Sequence, residues 1–198
     1  MALTLTKGER TRAAILDEAL RLVSKAGLEG LTIGTLAEAT GLSKSGLFAH
    51  FGSREDLLLA VLDHGQQRFT EVVFKPALQK PRGAARLRAM FVNWLDWTES
   101  AELPGGCPMI GGAAEFDDKP GQVREMLAGG QRAWIETLKR AVQQAIEEGQ
   151  LPRDTDPEQI AFEMFGIALV VHHHRRLLGY PKARARALSA LDRLISRT

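Results

Sequence analysis

Between Leu31 and Phe51 the chain reads LTIGTLAEATGLSKSGLFAHF, a spacing of apolar residues, hydroxyls and glycines that suits two short helices joined by a sharp turn. Thr32 is placed to cap a first helix from Ile33 to about Thr40, with Leu36 and Ala37 facing inward. Gly41 tolerates the left-handed backbone that a tight turn needs, and Leu42 is expected to plug the angle. Ser43 caps a second helix in which Leu47 and Phe51, four apart, pack down, leaving Lys44, Ser45 and His50 near the outer face. Small polar and basic side chains at the start of an exposed helix suit the major groove of double-stranded DNA. The segment therefore reads as a helix-turn-helix.

Its flanks fit that reading. Thr6 and Glu9 form a capping box, after which Ile15, Leu16, Ala19, Leu20, Leu22, Val23 and Ala26 recur at helical spacing until Gly27. The resulting three-helix unit has roughly fifty residues, a size that needs outside support. The next helix is expected to supply it: Ser53 caps it, Leu57, Leu58, Val61 and Leu62 begin its apolar stripe, and Lys75-Pro76 should stop it. This divides the chain into a reading domain, residues 1–52, and a second helical domain, residues 53–198.

Further along, Leu87, Met90, Phe91, Trp94 and Leu95 mark a strongly amphipathic helix that Trp97 extends. LPGGCPMIGG, residues 103–112, is loop-like, with a short helix expected to end at Phe116. Gly129-Gly130 is expected to kink or split the following helix before it runs on to Gly149. Asp156-Pro157 opens another, ending about Leu178, and Pro181 opens the last. No convincing strand or repeat is present, so the fold class is all-α with about nine helices.

Composition adds bounds rather than direction. A formal charge of +2 does not announce a nucleic-acid binder, so DNA binding has to rest on local placement. The single cysteine, Cys107, excludes an internal disulfide and suits a reducing cytoplasm. The start, MALTLTKGERTR, lacks a signal-peptide apolar core, and Met164 to Val171 is too short to span a membrane, so a cytoplasmic protein is expected. No Gly-rich phosphate loop, metal-ligand spacing or carboxylate pair supports an enzyme, and no cofactor is implied.

From Thr11 to Leu58 the chain, TRAAILDEALRLVSKAGLEGLTIGTLAEATGLSKSGLFAHFGSREDLL, resembles the amino-terminal domain of the tetracycline-repressor (TetR) family of transcriptional regulators. The likeness lies in Thr-Arg, Ile-Leu, Gly27, Thr32, Leu36-Ala37, Gly41, Leu42-Ser43, Leu47-Phe48, His50-Phe51 and Ser53-Arg54 in order. It implies that Thr32 and Ser43 hydroxyls bind phosphate with nearby backbone amides, that Lys44 and Ser45 face base edges, and that His50 and Arg54 clamp the backbone. Arg54 stands where lysine is commoner. Phe48 replaces a common tyrosine, which removes a phenol contact to phosphate but leaves packing against the sugar-phosphate. Gly46 offers close approach instead of a readable side chain.

The resemblance further implies a homodimer on a palindromic operator, formed through a four-helix bundle for which residues 131–148 and 157–178 are the candidate helices. Ile160, Ala161, Met164, Phe165, Ala168, Leu169 and Val171 cover more than one face of the second, as a dimer surface or a central buried helix would. For a ligand site, Met90, Trp94 and Trp97 share a face that Met109, Phe116, Met126 and Phe165 are expected to approach, as an adaptable pocket for a hydrophobic effector or as plain core. Cys107, in GGCP, is either a small buried residue or an electrophile sensor, as in some family members. Neighbours in His172-His173-His174 point about 100° apart and cannot converge on one metal, so one of them, His172, is expected to line the cavity or interface. Arg175, Arg176, Lys182, Arg184, Arg186, Arg193 and Arg197 read as a solvated basic face. The function expected is a ligand-released repressor; the other classes are a thiol sensor built on Cys107 and a helical interaction protein with a vestigial reading head.

Overall fold

The computed structural model describes residues 6–196; Arg197 lies outside them. The described residues are helical and contain no strand: α1 (Lys7–Ala26), α2 (Ile33–Thr40), α3 (Lys44–Phe51), α4 (Arg54–Phe69), a π-helical segment (Thr70–Phe74), α5 (Lys75–Leu78), α6 (Ala84–Thr98), α7 (Pro108–Phe116), α8 (Gln122–Glu147), α9 (Pro157–Arg176) and α10 (Ala183–Ile195). Because α4, the π-helical segment and α5 are continuous, they form nine helical rods.

Caps account for the early boundaries. Thr6 and Glu9 exchange both bonds of a capping box at α1, and Thr32 does the same with Thr35 at α2. Gly41 ends α2 in the left-handed conformation, φ +69°, and the Ser43 hydroxyl accepts from Gly46 N–H at 3.1 Å to start α3. Leu36 and Leu47 are fully buried and fill the angle between the two helices. Leu42, expected to plug it, is instead 38% exposed, because those two leucines already occupy the space.

Proline does not stop the fourth rod. Pro76 has no N–H to return to Val72, and the ladder shifts instead: Lys75 N–H bonds Thr70 O, five residues back, and the helix continues to Leu78. Gly129 and Gly130 likewise leave α8 unbroken from Gln122 to Glu147. The last helix begins at Ala183, after a turn through Pro181 and Lys182.

Two compact units emerge, divided inside α4 and α8. The first comprises the described part of Met1–Gln67 with Ala101–Leu127; the second is Arg68–Ser100 with the described part of Ala128–Thr198. In the first, Ile15, Leu16, Ala19, Leu20 and Val23 of α1 are buried, as are Leu57, Leu58, Val61 and Leu62 of α4. Each buried leucine contributes about 1.5–3 kcal/mol. In the second, Leu87, Phe91, Trp94 and Leu95 of α6 form the centre with Leu138 and Val142 of α8 and Ala161 and Met164 of α9. No described helix is long and apolar enough to cross a membrane.

Candidate functional site

The outer face of the helix-turn-helix is polar and open. Thr32, Ser43, Lys44 and Ser45 are exposed, His50 is half-buried, and α3 carries no acidic side chain. Thr32 Oγ1 accepts from Thr35 N–H at 3.0 Å, and Ser43 and Ser45 hydroxyls lie 3.2 Å apart, so both caps sit at helix starts where N–H groups favour an anion. A methyl group on Gly46 would come 3.1 Å from Ser43 Oγ, tighter than ordinary packing, so glycine keeps the cap uncrowded there. Phe48 presents a ring 50% exposed, an apolar surface on an otherwise hydrophilic helix. Arg12 of α1 lies 5.1 Å over the Phe51 ring, which brings a cation of α1 against the second helix of the motif.

Arg54 is exposed as well, and its guanidinium is hydrogen-bonded within the protein. Its Nε donates to Leu31 O at 3.0 Å, and its Nη2 to Leu28 O at 3.2 Å and Glu29 O at 3.0 Å. The guanidinium ties together three carbonyls of the loop between α1 and α2. The same loop is held from α7: Glu115 accepts from Leu28 N–H at 3.1 Å and Glu29 N–H at 2.8 Å, one bond to each carboxylate oxygen. Lys119 pairs with Glu29 at 2.5 Å, and this bond holds the Glu29 carboxyl below its ordinary pKa. Gly27, at φ +77°, gives the carboxylate room, since a methyl there would lie 2.4 Å from Glu115 Oε1. Local sequence carries no signal for Glu115, because its partners lie 86 and 87 residues away.

The candidate ligand residues divide between the units. In the second, Met90, Trp94 and Trp97 are buried on α6, with Phe165 of α9 5.4 Å from Trp94 between ring centres. The sequence reading missed two members of this aromatic core. Phe69 stands edge-on to Trp97 at 6.0 Å and to Trp134 at 4.8 Å, while Trp134 stands edge-on to Trp94 at 5.7 Å. His172 is half-buried, and its imidazole is held below the ordinary pKa by burial first, then by the charges of Arg176 and His173.

The other four belong to the first unit. Cys107 is buried just before α7; the Met109 methyl would meet a methyl added to Gly65 at 3.1 Å, which places it against α4. Phe116 lies under the Lys119 ammonium at 5.1 Å, and the Met126 carbonyl accepts from Gln66 Nε2 at 3.3 Å. Among the described residues no three His, Cys, Asp or Glu side chains gather as a metal ion requires. The expected solvated basic face is partly engaged. Arg175 pairs with Glu99 at 2.7 Å, and Arg184 pairs with Asp96 at 2.6 Å and Glu99 at 3.2 Å, because Glu99 is largely buried and needs compensation.

Comparison with known proteins agrees with this architecture. Residues 15–61 match the model of bacterial regulatory proteins of the tetR family, and residues 83–191, more than half of the chain, match the tetracyclin repressor-like C-terminal domain. The chain is 27% identical over 151 residues to the transcriptional repressor ComR of Escherichia coli K12, covering 76% of this chain and 72% of that one. The structure of a TetR transcriptional regulator from Chloroflexus aurantiacus superposes with a TM-score of 0.88 at 27% identity, covering 98% of both chains. AibR, solved in complex with isovaleryl coenzyme A and operator DNA, superposes with a TM-score of 0.73 at 25% identity over 93% of this chain and 98% of AibR. The relatives are transcriptional regulators rather than enzymes. An all-α chain with a capped helix-turn-helix, a second helical unit and both family signatures in order is a DNA-binding transcriptional regulator, and it belongs to the TetR family.

Proposed function

We propose that this protein is a cytoplasmic repressor that binds a palindromic operator as a homodimer and leaves it when a small hydrophobic molecule binds. The observation that carries the reading is the acid-free face of α3, with Lys44 and Ser45 exposed beside the Ser43 cap. Lys44 and Ser45 meet base edges, Thr32 and Ser43 meet phosphate, and His50 and Phe48 lie along the sugar-phosphate. Arg54 acts one step back, by holding the loop that leads into α2. Arg12 joins the phosphate contacts.

Two copies pair through α9 and α10 rather than through residues 131–148 with 157–178. No large apolar side chain of α8 is exposed among the described residues, whereas Phe162 on α9 is 71% and Val170 53% exposed. Beside them runs a groove of about 930 Å³, walled by Ile167, Val170 and Val171 of α9 and Ala187 and Leu194 of α10. A second copy turned by a two-fold axis covers that surface and sets the half-site spacing.

The effector engages the aromatic core of the second unit, where Met90, Trp94, Trp97, Phe165 and His172 gather with Phe69 and Trp134. It releases DNA only by binding the non-matching conformation more tightly than the matching one. The buried Cys107 thiol favours this reading over direct sensing of electrophiles, which needs an accessible thiolate.

Selection from random double-stranded oligonucleotides tests the proposal. It should recover a palindrome with half-sites about one helical turn apart, bound by a dimer and weakened steeply by salt. Lys44→Ala should weaken that binding about tenfold and relax the preference at the base pair it meets, with thermal stability unchanged. Recovery of no sequence, or equal affinity of wild type and Lys44→Ala, overturns it.

A further inference from the structure

Within the second unit, Trp97 Nε1, Trp134 Nε1, Ser100 Oγ and His172 Nε2 are buried without a hydrogen-bond partner among the described residues. Both indoles are more than nine-tenths buried: Trp97 is 4% and Trp134 9% exposed. A buried donor left unmade costs about 1–3 kcal/mol, so native proteins rarely keep several in one place without a use for them.

The two indoles share a neighbour. Phe69 stands edge-on to both Trp97 and Trp134, at 6.0 and 4.8 Å, which brings the two indoles to the same ring. Ser100 follows Trp97 by three residues, just past the end of α6. Helices α6 and α9 run in the same direction, because Phe165 meets Trp94 at one level and Arg175 pairs with Glu99 at a later one. His172 lies two turns beyond Phe165 on α9, between the levels of these two contacts.

We propose that this cluster recognises the carbonyl oxygen of a flat, neutral aromatic effector. The assignment rests on the effector-binding reading above. Indole N–H only donates, so the ligand must supply an acceptor, and one carbonyl oxygen has two lone pairs for Trp97 and Trp134. The aromatic edges and faces around Phe69, Trp94 and Phe165 match a planar ring system. A neutral ligand fits better than a carboxylate. Glu99 stands next to Ser100, and Arg175 and Arg184 are already paired with it. Burial also disfavours the charged form of the His172 imidazole.

Fluorene and 9-fluorenone are tricycles of the same outline that differ by one carbonyl, and both are measured by calorimetry against the full-length protein. Fluorenone should bind about tenfold more tightly, the return for filling buried donors otherwise left empty. In the protein labelled with ¹⁵N at the indole nitrogens, the Trp97 and Trp134 N–H protons should move downfield in the fluorenone complex relative to the fluorene complex. Trp97→Phe and Trp134→Phe should each reduce the preference severalfold. Equal affinity for the two tricycles, binding of neither, or an unchanged preference in both variants overturns the assignment. Operator binding measured on the same preparations tests the regulator reading separately, so the two can fail independently.

Discussion

The loop between α1 and α2 and the aromatic core around Phe69 treat their polar groups in opposite ways. In the loop, Glu115 takes the N–H groups of Leu28 and Glu29, while Arg54 covers the carbonyls of Leu28, Glu29 and Leu31. In the core, two indole N–H groups, a hydroxyl and an imidazole nitrogen are buried without partners. The first arrangement fixes a backbone path and is complete in the protein alone. The second forfeits some stability and leaves donors ready for an outside group, as functional sites commonly do. On the proposed function, the contrast separates the part that keeps one shape on DNA from the part that responds to an effector.

The hardest way to break the comparison is to push the satisfied region apart. A methyl at Gly105 would lie 1.4 Å from Ser24 O, so Gly105→Ala should cost more than about 3 kcal/mol or abolish folding, as read by urea denaturation. Near wild-type stability would show that the segment before α7 does not lie so close to α1. Removing the clamp is milder: Glu115→Ala leaves two backbone N–H groups without their acceptor and should cost about 2 kcal/mol. Operator affinity should fall with it, since the loop leading into α2 loses one of its supports; an unchanged affinity would leave the clamp a purely structural role.

The aromatic core should respond far less. Trp134→Phe removes a partnerless N–H along with some ring volume, and the opposing effects should leave stability within about 1 kcal/mol of wild type. A loss of about 2 kcal/mol or more would mean that the indole N–H is already satisfied in the unliganded protein, and the contrast with the loop would vanish.

His172 should give the smallest effect. Its folded pKa lies below the ordinary imidazole value of about 6.5, so the unfolded chain binds the proton more readily. Its neutral form therefore contributes stability that is fully present above about pH 6.5 and is lost as pH falls toward the folded pKa. Wild type should lose more stability than His172→Gln between about pH 7.5 and pH 5. Parallel losses in chemical denaturation at the two pH values would show that the imidazole is as well solvated folded as unfolded.

The chain by itself determined the helices and their caps. Thr6, Thr32, Ser43, Ser53 and Asp156 bond amides two or three residues ahead, and apolar stripes repeat every three or four, so local sequence contains both partners of each interaction. That was enough for the all-α class, the helix-turn-helix and the outer-face setting of Lys44 and Ser45, with His50 half-buried beside them. Tertiary structure decided what depends on groups remote in sequence. Arg54 bonds loop carbonyls 23 to 26 residues away, and Glu115 found amides 86 and 87 residues away. Leu42 stayed outside because Leu36 and Leu47 had filled its place, and Phe69 and Trp134 entered the aromatic core from helices other than α6. Spacing along a helix reveals which residues share a face, but only the packed chain shows what each face meets and which buried donors are left without an acceptor.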